Sequence, residues 1–365
     1  MEIRNPVTLT AALLVGLGAC ADADGVVEAP ESGAAAVAFH NAAGGWDLPL
    51  HAAEELGRAF PTSPCQQSHH RQFDFWLGEW NVFGVADAFI GTNSVTAKLD
   101  GCLVQEHWIG TNGFRGRSLN AYDRETGTWH QDWASQVPIP FPLTGRLRTS
   151  GGLEDDVMVL TGVRHTVSGF TLVDRWTWST DEAGNVIQTS LTVIPEFNLS
   201  LPFRGVYVRG IRTPIEEVVT PFCQTGQSHG ATRMADFLVG SYEVKAPSGV
   251  TVGAATIETD LSECLFIEHF ESLRGLEAVA FTYYDAWVNE WFRIYVDSEG
   301  ERMALRGAFE AGNLVLRGTE GSTSGEVEVR ITWTPNGGDV LQGWEISRDD
   351  GATWQSTATL IYEAL

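Results

Sequence analysis

Apolar and polar residues alternate in short runs along most of this chain, and glycine, asparagine or aspartate breaks each run. Val95-Thr96-Ala97-Lys98-Leu99 is one such run. Leu103 to Ile109, Ser118 to Tyr122, Thr128 to Trp133, Val157 to Leu160, Thr171 to Trp178 and Val186 to Val193 continue the pattern. A period of two sends successive side chains to opposite faces, so each run predicts a β-strand. Asp123-Arg124-Glu125-Thr126-Gly127 and Asp181-Glu182-Ala183-Gly184-Asn185 read as turns between strands. The texture returns from Gly253 to Tyr362, with turns at Asp297-Ser298-Glu299-Gly300 and Asn336-Gly337-Gly338-Asp339. Neither half holds a long amphipathic helix. Roughly 140 residues of consecutive short strands predict an up-and-down β-barrel or strongly curled sheet per half.

The two halves are copies of one another. Gly78 and Gly240 lie 162 positions apart, and so do Cys102 and Cys264. The same shift carries Glu106-His107 onto Glu268-His269, Tyr122-Asp123 onto Tyr284-Asp285, and Trp129 onto Trp291. Further on it becomes 155, carrying Arg175 onto Arg330, Trp178 onto Trp333 and Tyr207 onto Tyr362. So many matches at near-constant offset indicate a tandem duplication. Residues 63–212 form the first repeat, 213–222 a short linker containing Pro214 and Pro221, and 223–365 the second repeat. Four cysteines after residue 60 allow three pairings. Each repeat carries one cysteine before its aromatic-glycine motif and one after it, which selects Cys65–Cys102 and Cys223–Cys264. Each bridge closes a loop of roughly 40 residues, worth about 4 kcal/mol in the chain-entropy picture.

Disulfides need an oxidising compartment, and the N-terminus supplies an export signal. Val7 to Ala19 is an apolar run preceded by Arg4, too short for a stable transmembrane helix. It ends Leu17-Gly18-Ala19-Cys20, which resembles the bacterial lipobox. On that reading residues 1–19 are removed, Cys20 is acylated, and residues 20–62, rich in Ala, Gly and acidic groups, tether the fold to a membrane. Ala19-Cys20-Ala21 also has the form of an ordinary cleavage site, which would release a free protein. Such a coil reaches on the order of 35 Å. His51 to Phe60 has the composition of one short helix. No later stretch is long and apolar enough to cross a bilayer as a helix.

Composition narrows the function by exclusion. The chain of 365 residues is 43% hydrophobic and 19% charged, which is globular. Its net charge of -24 argues against nucleic acid and against polybasic docking to lipid. An acidic surplus favours cationic ligands in general, and no segment concentrates it. No His-x-His, His-Glu-x-x-His or Gly-x-Ser-x-Gly string occurs, so neither a metal nor a serine nucleophile is expected. No cofactor is expected.

Phe73-Asp74-Phe75-Trp76-Leu77-Gly78-Glu79-Trp80 is the densest aromatic stretch, and Asp236 to Tyr242 is its weaker copy. Gly78-Glu79-Trp80 at the start of a first strand resembles the lipocalin/calycin signature. There the tryptophan closes one end of a barrel that encloses a small apolar ligand. The longer string resembles the bacterial domain of unknown function 1579 family. Glu106-His107-Trp108, Gly116 to Asp123 and Trp129-His130-Gln131-Asp132-Trp133 extend that likeness over most of the first repeat. The second repeat keeps Gly240, with Leu238 for Trp76 and Tyr242 for Trp80. The family implies a barrel and no chemistry.

The expected fold is all-β: two tandem calycin/lipocalin-like antiparallel barrels. The candidate ligand-binding residues are Glu106, His107, Trp108, Trp129, Gln131, Trp133, Arg175 and Trp178, with Glu268, His269 and Arg330 as second-repeat counterparts. Strand alternation puts Glu106 and Glu268 on the apolar inward face. A carboxylate there must pair or raise its pKa, and Arg175 and Arg330 are the expected partners. Trp76, Gly78, Trp80, Gly240 and Tyr242 are expected to be structural. Ser347-Arg348-Asp349-Asp350-Gly351-Ala352-Thr353-Trp354 matches the Asp-box and reads as a hairpin turn. The expected function is an exported, lipid-anchored envelope protein that binds a small apolar or aromatic molecule. An enzyme using Glu106 or His107, or a structural pair of packed barrels, are the alternatives.

Overall fold

The computed structural model describes residues 63–136, 148–154, 156–210, 212, 223, 226–322 and 325–365. The signal segment, Cys20, the tether, the short helix and the 213–222 linker lie outside them.

Among the described residues ten strands form the first barrel: β1 (Gly78–Phe83), β2 (Phe89–Lys98), β3 (Leu103–Gly110), β4 (Arg115–Asp123), β5 (Thr128–Ser135), β6 (Arg148–Glu154), β7 (Val157–His165), β8 (Thr171–Thr180), β9 (Val186–Ile194) and β10 (Leu199–Arg209). Ten more form the second: β11 (Gly240–Lys245), β12 (Thr251–Asp260), β13 (Leu265–Ser272), β14 (Glu277–Asp285), β15 (Glu290–Asp297), β16 (Arg302–Glu310), β17 (Asn313–Ser322), β18 (Gly325–Asn336), β19 (Asp339–Ser347) and β20 (Gln355–Ala364). Each strand pairs antiparallel with its sequence neighbours. The barrels close where β1 meets β10 at Trp80↔Arg209 and β11 meets β20 at Tyr242↔Ala364. Among the described residues closure leaves no sheet edge exposed, which suits chains this rich in β-branched and aromatic residues.

One end of the first barrel is plugged by the turn Asp74–Trp76. The Phe73 ring stacks on Trp76 at 4.9 Å and meets Trp129 and Trp178 edge-on at 5.5 and 5.3 Å. Trp80 Nε1 donates to the Trp76 carbonyl at 2.9 Å, and the Arg209 guanidinium covers the Trp80 ring at 3.9 Å. Gly78 has φ +143°, which L side chains rarely adopt, so this position calls for glycine, and a Cβ there would also displace Arg209 Nη1, 1.7 Å away. The second plug repeats the bond with a different side chain. Tyr242 Oη donates to the Leu238 carbonyl at 2.9 Å. Tyrosine can replace tryptophan here because both present a donor to the carbonyl four residues back. A short helix, α1 (Gly226–Arg233), leads into this plug.

Both cysteine bridges form as the repeat predicts, Cys65–Cys102 and Cys223–Cys264, with Cα separations of 4.9 and 5.4 Å. Both belong to a third core that lies between the barrels. Outward residues of β3 to β5 (Leu103, Leu119, Ala121, Ala134) meet outward residues of β13 to β15, among them Ile267, Phe281, Phe292 and Ile294. Each large aliphatic or phenyl side chain buried there contributes about 1.5–3 kcal/mol. Polar contacts cross the same seam. Arg302 donates to Asp132 Oδ2 at 2.6 Å, both nearly buried, and Arg117 donates to Asp260 at 2.6 Å. The strands on this side are buried on both faces because one face fills a barrel and the other fills the seam.

Candidate functional site

Alternation along β3 turns Val104, Glu106 and Trp108 into the first barrel and His107 outward. Glu106 is 3% exposed. Its Oε1 accepts from Asn93 Nδ2 at 2.8 Å and its Oε2 from Ser118 Oγ at 2.7 Å. Ser118 in turn accepts from Asn120 Nδ2 at 2.9 Å, and Asn120 also donates to the Val104 carbonyl. Cross-strand register places Glu106 beside Ser118, and Ser118 beside Trp133. Among the described residues no cation pairs with Glu106. Burial pushes its carboxyl up to about 7, against the pull of the Ser118 and Asn93 hydrogen bonds. Tyr207, also fully buried, points its hydroxyl at Gln188 Oε1. Burial, then the Glu106 charge, raise that phenol well above its ordinary 10.

The second barrel resolves the same position differently. Glu268, 4% exposed, forms an ion pair with Arg293 and accepts from Tyr362 Oη at 2.9 Å. Arg293 Nη1 donates to Thr282 Oγ1 at 3.0 Å, and its guanidinium lies 4.9 Å from the Trp333 ring centre. The 162-residue shift maps Arg293 onto Gln131 and Thr282 onto Asn120, and the 155-residue shift maps Trp333 onto Trp178 and Tyr362 onto Tyr207. The internal cation of the second barrel is therefore a neutral amide in the first.

Arg175 and Arg330 are not the partners of the two glutamates. On β8 the inward residues are Leu172, Asp174, Trp176 and Trp178, so Arg175 is in the outward phase and exposed. Arg330 likewise faces out, where it donates to Glu345 Oε2 at 2.7 Å and covers the Trp354 ring at 4.2 Å. That ring belongs to the Asp-box, a turn held by Ser347, Asp349 and Thr353 hydrogen bonds.

The remaining expected residues divide by depth. Trp129 and Trp178 are buried in the plug, where Trp129 Nε1 donates to the His69 carbonyl and Gln72 Oε1 at 3.2 Å. Gln131 is buried on the inward face of β5. Trp108 and Trp133 face inward at the far end and are half-buried, as is Trp176. A Cβ at Gly116 would lie 2.0 Å from the Trp133 ring, so this glycine makes the room for that indole. In the second barrel the lateral row Ile331–Trp344–Ala358 has its large residue in the middle. The first barrel inverts this as Trp176–Ser190–Phe203. Bulk thus moves from mid-wall to the flanks, and Trp344 is 3% exposed while Trp176 and Phe203 are half-buried. His107 and His269 lie outside the barrels. Burial and then Arg117 lower the His107 pKa to about 4. His269 lines an external cleft of about 520 Å³ between the barrels, with Lys98, Gln105, Arg117, Glu258 and Glu277.

No family model matches the chain, so the family resemblance rests on its motifs, and no curated protein matches it in sequence. Two solved structures are similar over much of their length. One is a candidate outer membrane protein of Bacteroides fragilis at 10% identity and TM-score 0.20, covering 80% of this chain and 99% of that one. The other is a DUF3598-family protein of unknown function from Nostoc punctiforme at 7% identity and TM-score 0.17, covering 82% and 100%. Neither similarity bears on function.

Sequence reasoning missed Asn93, Ser118, Asn120, Gln188, Tyr207 and Arg293. Ser118 and Asn120 share an inward phase in β4, a visible signal once that strand is registered on Glu106. Arg293 was also reachable, because the repeat shift maps it onto Gln131.

Proposed function

We propose that this is an exported, lipid-anchored envelope protein whose first barrel binds a small apolar or aromatic molecule. The second barrel is its packed structural partner. The observation that carries this reading is the asymmetry between Glu106 and Glu268. One copy has its buried carboxylate neutralised internally, and the other holds an unpaired buried carboxyl among amides and a serine. Burying such a group without a cation costs stability, and a binding site is a physical reason for a fold to retain that cost. Half-buried Trp108 and Trp133, at the end away from the plug, and Trp176, stacked on Trp178 at 6.2 Å, offer ring faces to an aromatic or apolar body.

Tryptophan-fluorescence titration of the full chain with neutral aromatic probes tests the reading, alongside native mass spectrometry for co-purified ligand. Saturable quenching that Trp133→Ala or Trp176→Ala weakens about tenfold is expected. Absence of saturation with every neutral aromatic probe, together with a ligand-free mass, would overturn it. A carboxyl near pH 7 also suits general acid–base work. Turnover lost in Glu106→Gln, with unchanged probe binding, would favour that enzyme reading instead.

A further inference from the structure

The second barrel contains a worked example of what the first barrel's polar centre can hold. In it a guanidinium is gripped by a carboxylate (Glu268), a hydroxyl (Thr282) and an indole face (Trp333). At the matching positions the first barrel has Glu106 for the carboxylate, Trp178 for the indole, and the amide of Asn120 in place of the hydroxyl. The cation is replaced by the shorter and neutral Gln131. Asn120 is fully buried, both hydrogen bonds from its amide nitrogen are made, and its Oδ1 has no partner. That oxygen matches the acceptor that Arg293 uses in the other barrel. Glu106 accepts two hydrogen bonds, while an ionised carboxylate offers about four acceptor sites. Tyr207, unlike Tyr362, directs its hydroxyl to Gln188 and leaves the carboxylate to others.

We infer that the first barrel binds an organic cation, with the ligand's ammonium or guanidinium group taking the place that Arg293 occupies in the second barrel. This rests on the first barrel being a small-molecule site, and it adds the ligand's charge. The cation would pair with Glu106, donate to Asn120 Oδ1 and lie against the Trp178 face. The apolar remainder would extend toward Trp108 and Trp133. Charge-assisted bonds in a dry interior and a cation–π contact both favour this over a neutral head group. The net charge of -24 draws cations and repels anions at long range.

Calorimetric titration of the full chain at pH 8 with phenethylamine, phenethyl alcohol and 3-phenylpropionate separates the two claims. Phenethylamine is expected to bind at least tenfold more tightly than the alcohol, and the propionate to show no binding. Gln131→Arg supplies the cation internally, and the amine-to-alcohol ratio should fall to about one. Glu106→Gln should do the same, and serves should Gln131→Arg not fold. Equal binding of amine and alcohol would overturn the cation claim and leave the aromatic site standing. No binding of either would overturn both. An unchanged amine preference in folded Gln131→Arg would overturn the claim that the ligand occupies the Arg293 position.

Discussion

Glu106→Gln should make this protein more stable at pH 8, although it alters a candidate site residue with buried hydrogen bonds. Burial holds the Glu106 carboxyl at about 7 instead of its ordinary 4.5. Between those values the folded chain binds a proton that the unfolded chain has released. A raised carboxyl therefore costs stability as pH climbs. Below about 4.5 both states are protonated and nothing is lost, and above about 7 the full cost of roughly 3 kcal/mol is present. Glutamine is nearly isosteric, carries no charge, keeps an oxygen for Asn93 Nδ2, and reverses the other bond, its amide donating to Ser118 Oγ while the serine hydroxyl turns its hydrogen away. The expected gain is near zero at pH 4.5, about half of the full value at pH 6, and about 3 kcal/mol at pH 8. For a domain of about 150 residues this raises the melting temperature by about 2–4 °C per kcal/mol. Urea or thermal unfolding of both proteins at four pH values from 4.5 to 8 measures it. A destabilised variant at pH 8, or a difference that ignores pH, would refute the account of Glu106 as an unpaired buried carboxyl.

The matching change in the other barrel should have the opposite sign. Arg293→Gln strands Glu268 with only the Tyr362 hydroxyl, and removing one member of a buried pair costs about 3–5 kcal/mol. Urea unfolding of the variant beside the parent protein checks this, and an unchanged midpoint would contradict the pair. Arg302→Met leaves Asp132 buried without its cation at the seam. The barrels should then unfold in two separable calorimetric transitions instead of one, and a single unshifted transition would contradict a shared core. Cys65→Ser should expose one new thiol, Cys102, and lower the melting temperature through loss of about 4 kcal/mol. A newly titratable Cys223 or Cys264 would show that the bridges are not independent.

Much of this fold was legible in the residues because its causes are local or repetitive. Period-two alternation names strands wherever one face is dry, and a 162-residue self-match can be read without any structure. The cysteine pairing followed from that match, since a bridge confined to one repeat is the arrangement that a duplication preserves. The inward position of Glu106 and the outward position of His107 also follow from alternation alone. The assignment of Arg175 and Arg330 failed on the same rule. Matching positions in two copies show that residues are equivalent, not that they face inward, and the phase set by Leu172, Trp176 and Trp178 points Arg175 to solvent.

By itself, then, the sequence determined the strand pattern, the duplication, the disulfides and the presence of an inward carboxyl in each barrel. It left open which side chains meet that carboxyl, because neighbours around a barrel wall come from strands far apart in the chain. Glu268 lies 25 residues from Arg293 and 94 from Tyr362. The seam between barrels was equally hidden. Its residues are the outward half of alternating strands, and outward positions are apolar only where another surface covers them. Closure and docking bring these groups together, so only the tertiary structure decided that one glutamate is paired and the other is not.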